Sequence, residues 1–276
     1  MKRRKSVIII SIALLVLLDL AVLGMLFYEI ILQKTVDSSH VFRTVLLLGA
    51  SVISIFKLFQ KYEVRRSAKF YRDSYSDLIG NAFLNDPKLE KEFCHALDAF
   101  NADLSQKALS CLERLADKVT RNEDRFAIAV FTALCYDDMQ AYPQAIRSYE
   151  DALRFSENST VYSNLGICFQ RVGDYDRAIE AYEDAIRMDP NNANPYNNIA
   201  QLLIRSEEYE GALAYAEKAS ALAPNLKAAH NARAICHAML GNTEEYEKAL
   251  RQSVMCGENR QKIEDFIRSL REPSDI

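Results

Sequence analysis

The sequence predicts an all-α chain in three parts: an N-terminal hairpin of two transmembrane helices, an α-α superhelix of stacked antiparallel helix pairs, and a C-terminal capping helix. Three observations carry this. Residues 7–32 and 41–60 are apolar stretches long enough for a bilayer, which takes about 20 residues. From about residue 89 onward, apolar side chains return at spacings of three and four, the period of a helix with one buried face. That pattern then repeats in blocks, 126–158, 159–192, 193–226 and 227–260.

The first span is apolar except for Asp19 and Glu29. It is too long for an ordinary signal-peptide core, and no small-x-small cleavage site follows. The second is uninterrupted only from Thr44 to Phe56, with Arg43 and Lys57 near its ends, where long side chains can reach the interface. A polar turn, Gln33 to His40, joins the two. Lys2, Arg3, Arg4 and Lys5 precede the hairpin, and Lys61, Arg65, Arg66, Lys69 and Arg72 follow it, whereas the turn holds only Lys34. Basic flanks stay inside, so both ends are expected on the cytoplasmic side of an integral membrane protein. The basic start and hairpin suit a bacterial inner, or plasma, membrane. Gly49, Ala50 and Ser54 offer the small surface on which membrane helices pack.

Asp19 lies roughly 18 Å along the helix from the cytoplasmic edge. One reading is a pairing or transport residue. The other is a protonated carboxyl bonded to Thr44, Ser51 or Arg43, or within a dimer, since two helices with one acid make a poor ion pathway.

Residues 61–88 form a basic juxtamembrane linker. Val64, Ala68, Tyr71, Tyr75, Leu78 and Ala82 trace a stripe along a helix expected from Tyr62 to Phe83. It docks on the first repeat or on a membrane surface; self-association through this helix or the anchor is the sharper alternative. Asn85-Asp86-Pro87 ends it.

The most regular block is 159–192. Tyr162, Leu165, Gly166 and Phe169 stand at helical spacing, then Gly173-Asp174-Tyr175 turns the chain. A second helix follows with Ala178, Tyr182 and Ala185, and Pro190 closes it. Gly166 and Ala178 are small where two helices must approach. This block resembles a tetratricopeptide repeat (TPR), a 34-residue helix–turn–helix unit. The resemblance covers residues 89–260. It is best over 126–226, with Tyr136, Tyr142, Ala145, Tyr149 and Ala152 in one block and Tyr196, Ala200, Leu203, Ala212, Ala219 and Pro224 in another. The block 89–125 is irregular, and 227–260 departs from the pattern at Arg233 and Tyr246. Residues 261–271 present Ile263, Phe266, Ile267 and Leu270 on one face, as a capping helix requires.

Residues 1–72 carry 12 Lys/Arg against 4 Asp/Glu, and the remainder 22 against 34. The acidic part argues against binding nucleic acid. No phosphate loop, nucleophile turn or zinc helix appears, so no enzyme activity, cofactor or metal is expected. His230 and His237 lack further ligands. Cys135, Cys168 and Cys236 fall at the tenth place of their blocks, where a small apolar side chain packs between helices.

The resemblance implies a concave groove lined by the first helix of each repeat, binding a protein or an extended peptide. Its stripe runs Thr160, Asn164, Ile167 and Arg171, then Asn194, Asn198, Gln201 and Arg205, with Asn197 and Asn231 beside it. Amides can bond both backbone groups of a peptide, and arginine can hold a carboxylate. Asn164 and Asn198 resemble the asparagine ladder of superhelical TPR proteins. The family's dicarboxylate clamp needs lysine where this chain has Val130 and Ser163. Apolar residues flank the polar centre: Ala127, Phe131 and Leu134 before it, Ala228, Ala232, Ile235 and Met239 after. The expected protein is a membrane-anchored, cytoplasm-facing adaptor or scaffold. Alternatives are an assembly factor or co-chaperone for membrane or exported proteins, and a transport-related protein using Asp19.

Overall fold

The computed structural model describes Ile53 and residues 68–271. It divides into two units, Met1–Ser74 and Tyr75–Ile276. In the first, residues 68–74 are helical. The expected hairpin at 1–60 lies outside the described residues, apart from Ile53. Among the described residues there is no strand, and no helix is long and apolar enough to cross a membrane.

The second unit opens with one helical turn, α1 (Ser76–Ile79). Five antiparallel pairs follow: α2 (Pro87–Phe100) with α3 (Ser105–Ala116), α4 (Asn122–Asp138) with α5 (Tyr142–Leu153), α6 (Ser159–Val172) with α7 (Tyr175–Met188), α8 (Ala193–Arg205) with α9 (Tyr209–Leu222), and α10 (Lys227–Met239) with α11 (Thr243–Met255). A last helix, α12 (Arg260–Arg271), packs on α10 and α11. From α2 onward each helix touches its neighbours in sequence, which is the one-dimensional stacking of a repeat protein.

One turn geometry recurs inside all five pairs. The residue five places on donates its N–H back to the first helix: Leu104 to Ala99, Ala141 to Tyr136, Asp174 to Phe169, Glu208 to Leu203 and Asn242 to His237, at 2.8–3.0 Å. This is the bond that ends a helix on a left-handed residue. That residue is Asp103, Gln140, Gly173, Glu207 or Gly241, with φ from 57° to 83°. The irregular block that opens the repeats therefore turns like the regular ones. Its helices are set by Asp86, whose carboxylate accepts from the N–H groups of Lys88 and Leu89, and by Pro87 in the first turn. Asn158, Asp174 and Asn192 cap α6, α7 and α8 in the same manner.

Joints between pairs recur too. Tyr196 donates its hydroxyl to the Pro190 carbonyl at 3.2 Å, and His230 Nε2 meets the Pro224 carbonyl at 2.8 Å. Tyrosine and histidine thus tie equivalent places of successive repeats. Cys135, Cys168 and Cys236 are fully buried between helices as free thiols.

Two expectations are corrected. The continuous helix expected through Phe83 is broken at Tyr75, where the backbone leaves helical angles, and again at Gly80, which takes a φ of 48°. The break lets Leu78, Ile79, Ala82 and Phe83 bury themselves, with α1 packed on α4. In the capping helix, Ile263 and Ile267 are buried in the C-terminal core and Leu270 packs at its edge. Phe266 is not part of that cover; it remains 45% exposed.

Candidate functional site

The first helices of the pairs, α4, α6, α8 and α10, carry the residues expected to form the groove. The face they make differs along its length.

At the α4 end the groove is already filled. Phe131 has no exposed surface. Tyr75, Phe93 and Phe100 set their rings edge-on to it, with centroids 5.1, 5.5 and 6.0 Å away. Phe131 is therefore a core residue rather than an exposed anchor, because α1 and α2 cover it. Leu134 is half-buried. Next to them, α1 meets α6 through polar bonds. Thr160 donates its hydroxyl to the Asp77 carboxylate at 2.8 Å, and Asn158 donates its amide to the Asp77 carbonyl at 2.8 Å. Buried Asp124 fixes the following turn by accepting the N–H of Phe83 at 2.7 Å.

In the middle, the asparagines turn inward as well as outward. Asn198 is half-buried and stands close to the Tyr182 hydroxyl, which donates to Gln170 at 3.1 Å. Asn164 stands close to the Tyr149 hydroxyl, but that hydroxyl is buried outside bonding geometry. Burial pushes both tyrosines well above the ordinary phenol range, so each hydroxyl keeps its proton. Asn197 is 6% exposed with its carbonyl oxygen unpartnered, so it does not present itself on the groove. Arg171 is exposed, and its charge acts on Asp137 of α4. Burial raises the Asp137 carboxyl; the nearby Cys168 thiol and Arg171 oppose that rise. Asn194 is exposed at the start of α8.

At the α10 end the face opens into a recess of about 430 Å³. Its floor is Ile204, Ala228, Ala232 and Ile235, and Phe266 of α12 forms a wall. Gln170, Gln201, Arg205 and Asn231 supply the polar lining. The guanidinium of Arg205 lies over the Tyr175 ring, 5.3 Å from its centroid. Asn231 is occupied on both sides: its amide donates to Glu258, and its oxygen accepts from Ser253. Met239 packs half-buried against the C-terminal core and does not line the recess.

Of the expected residues, the structure thus gathers Gln201, Arg205, Asn231 and Ile235 into one cavity with Ala228 and Ala232. Sequence reasoning missed Gln170, Ile204 and Phe266. Gln170 and Ile204 each sit one residue before a stripe position, and Phe266 falls on the expected capping face. A second recess of about 400 Å³, between Arg125, Ile128, Asp151 and Phe155, lies off the expected stripe. Among the described residues no group of three or more His, Cys, Asp or Glu side chains could hold a metal ion.

Residues 159–192 and 181–214 match tetratricopeptide repeat family models. No curated protein matches the chain. Among solved structures, a crystal structure of MamA has 17% identity and a TM-score of 0.55, over 60% of this chain and 96% of that one. The structure of YrrB, described as a TPR protein with an unusual peptide-binding site, has 15% identity and a TM-score of 0.55, over 73% of this chain and 97% of that one. A MamA double mutant gives 14% identity and a TM-score of 0.56, over 61% and 94%. At these identities the likeness concerns the fold: an all-α, TPR-like stack of helical repeats.

Proposed function

We propose that this protein is a membrane-tethered adaptor that holds a segment of a partner protein against the first helices of its repeats, on the cytoplasmic side. The observation that carries the binding half is the recess at the α8–α10 end, where an apolar floor meets polar side chains from three helices. Such a combination suits a ligand that anchors by an apolar side chain and is oriented by hydrogen bonds. YrrB, with a similar fold, is described as having an unusual peptide-binding site, and TPR proteins act mostly as scaffolds rather than catalysts. The tether is argued from composition: the apolar runs at 7–32 and 41–60 and their basic flanks.

Site-specific photocrosslinking in cells tests the binding half. A crosslinker at Gln201 should trap a defined partner, and one at Lys218, exposed on α9, should not. Filling the recess with Ala228→Trp should abolish the Gln201 adduct. The same adducts from both positions, or an adduct indifferent to Ala228→Trp, would reject the reading. For the tether, the full chain should resist alkaline extraction from membranes, and removing residues 1–60 should release it.

A further inference from the structure

We infer that the recess recognises an acidic–apolar peptide: a carboxylate side chain held at Arg205, with the neighbouring aliphatic side chains seated between the α10 floor and Phe266. This rests on the groove-binding reading and specifies its ligand. Three observations support it.

The first is the supply of hydrogen-bonding groups. Gln170 already accepts the Tyr182 hydroxyl on its amide oxygen, which leaves its N–H groups. Asn231 is engaged on both sides, by Ser253 and Glu258. The carboxylate of Glu258 is itself answered by Asn231, by the N–H of Asn259 and by Lys227, which hold it below the usual range. Arg205 forms no ion pair among the described residues and is steadied by the Tyr175 ring. The lining therefore offers a charged donor without an acceptor of its own. A carboxylate is the peptide group that satisfies a guanidinium in two bonds.

The second is the apolar half. Ala228 and Ala232 leave space above the floor, and Phe266 stands exposed beside it on a helix whose Ile263 and Ile267 are buried. That space is filled by no side chain of the described residues.

The third is the occupant at the other end of the same face. There α1 supplies Ser76-Asp77-Leu78-Ile79. The aspartate takes a hydrogen bond from Thr160 on the next helix, and the two aliphatic residues are buried. The chain thus uses acidic–apolar chemistry against its own first helices. The seat at α8–α10 has Ala228 where Thr160 stands, and Arg205 takes over the polar role.

The acidic balance of residues 73–276 does not oppose this. Exposed charges farther away than about 8 Å are largely screened at physiological salt, so the guanidinium acts locally.

The test uses the full chain in neutral detergent and three capped peptides, read by fluorescence anisotropy. One contains Ser-Asp-Leu-Ile between glycines, the second has asparagine for the aspartate, and the third has two serines for Leu-Ile. The first should bind about tenfold more tightly than either of the others, as loss of a charge-assisted bond or of apolar burial predicts. Arg205→Gln should remove the preference for aspartate while leaving the asparagine peptide within about twofold, and Phe266→Ala should weaken the first two alike. Equal binding of the aspartate and asparagine peptides, or no binding of any, would overturn the assignment. So would a loss on Thr160→Val without one on Arg205→Gln, which would place the peptide in the seat of α1. A partner trapped at Gln201 whose capture ignores Arg205→Gln would leave groove binding intact and remove only the acidic chemistry.

Discussion

The ring of Tyr182 occupies the space that a β-carbon on residue 166 would need: a methyl group at Gly166 would come within 2.6 Å of Cε1 and 2.7 Å of Cδ1. The ring is fully buried and its hydroxyl is bonded, so it has no free direction in which to retreat. Gly166→Ala should therefore destabilise the repeat stack by about 1–3 kcal/mol, the usual range for overpacking a core. Chemical denaturation of the two proteins measures this. The loss should largely vanish in a Tyr182→Ala background; a loss of the same size there would show that the ring is not the obstacle.

The five repeated turns give a second prediction. Gly173 holds a φ of 83°, which costs a side-chain-bearing residue about 1–2 kcal/mol. Gly173→Ala should lower stability by that amount, although nothing lies within 4 Å of the added carbon. At Glu207, already at 63°, replacement by glycine should be near neutral or stabilising. Paired urea titrations would expose the opposite result.

Phe131 stands on the apolar flank of the expected groove, yet it has no exposed surface. Closed in by Tyr75, Phe93 and Phe100, it is a stability residue. Phe131→Ala should cost about 3–5 kcal/mol. Calorimetry should show a lowered transition before any loss of partner binding can be interpreted.

The imidazole of His237 is held below its ordinary pKa, first by burial and then by the charge of Arg233, with Glu217 and Glu245 pulling the other way. Asn242 reaches its Nδ1 at 3.5 Å, an arrangement that suits a neutral ring accepting a bond. A depressed histidine pKa means that the unfolded chain binds the extra proton first. Stability is then fully present above the unfolded value, about 6.5, and falls as pH drops through the folded one. Wild type should lose more stability between pH 7.5 and 5.5 than His237→Gln does. Parallel slopes for the two proteins would refute this.

Burial pushes the thiols of Cys135, Cys168 and Cys236 up to about 12. They should resist alkylation at pH 8 in the folded protein, while the partly exposed Cys111 and Cys256 react. Mass spectrometry after a short iodoacetamide pulse distinguishes the two groups.

The repeat architecture was legible because it is written in local chemistry. Small residues at Gly166 and Ala178, tyrosines one helix later and a closing Pro190 are spacing rules that any reader of the chain can apply. The groove was legible only in part. The stripe pointed to Gln201, Arg205, Asn231 and Ile235, and these do line the recess. It also pointed to Phe131 and Asn197, which are buried. A helical period tells which residues share a side, but not whether another segment covers that side.

That distinction separates the two sources of information here. The sequence by itself determined the helices, their pairing, the order of the stack and the buried places of the cysteines, since each depends on neighbours within about one repeat. The tertiary structure alone decided that the chain breaks at Tyr75 and Gly80, on either side of α1, and fills one end of the face with Asp77 on Thr160. It alone decided that Phe266 leaves the capping face to wall the other end. Those outcomes join residues 83 positions apart in the first case and at least 31 in the second. Over such separations it is packing competition between whole elements, not any local pattern, that settles which apolar surface stays open.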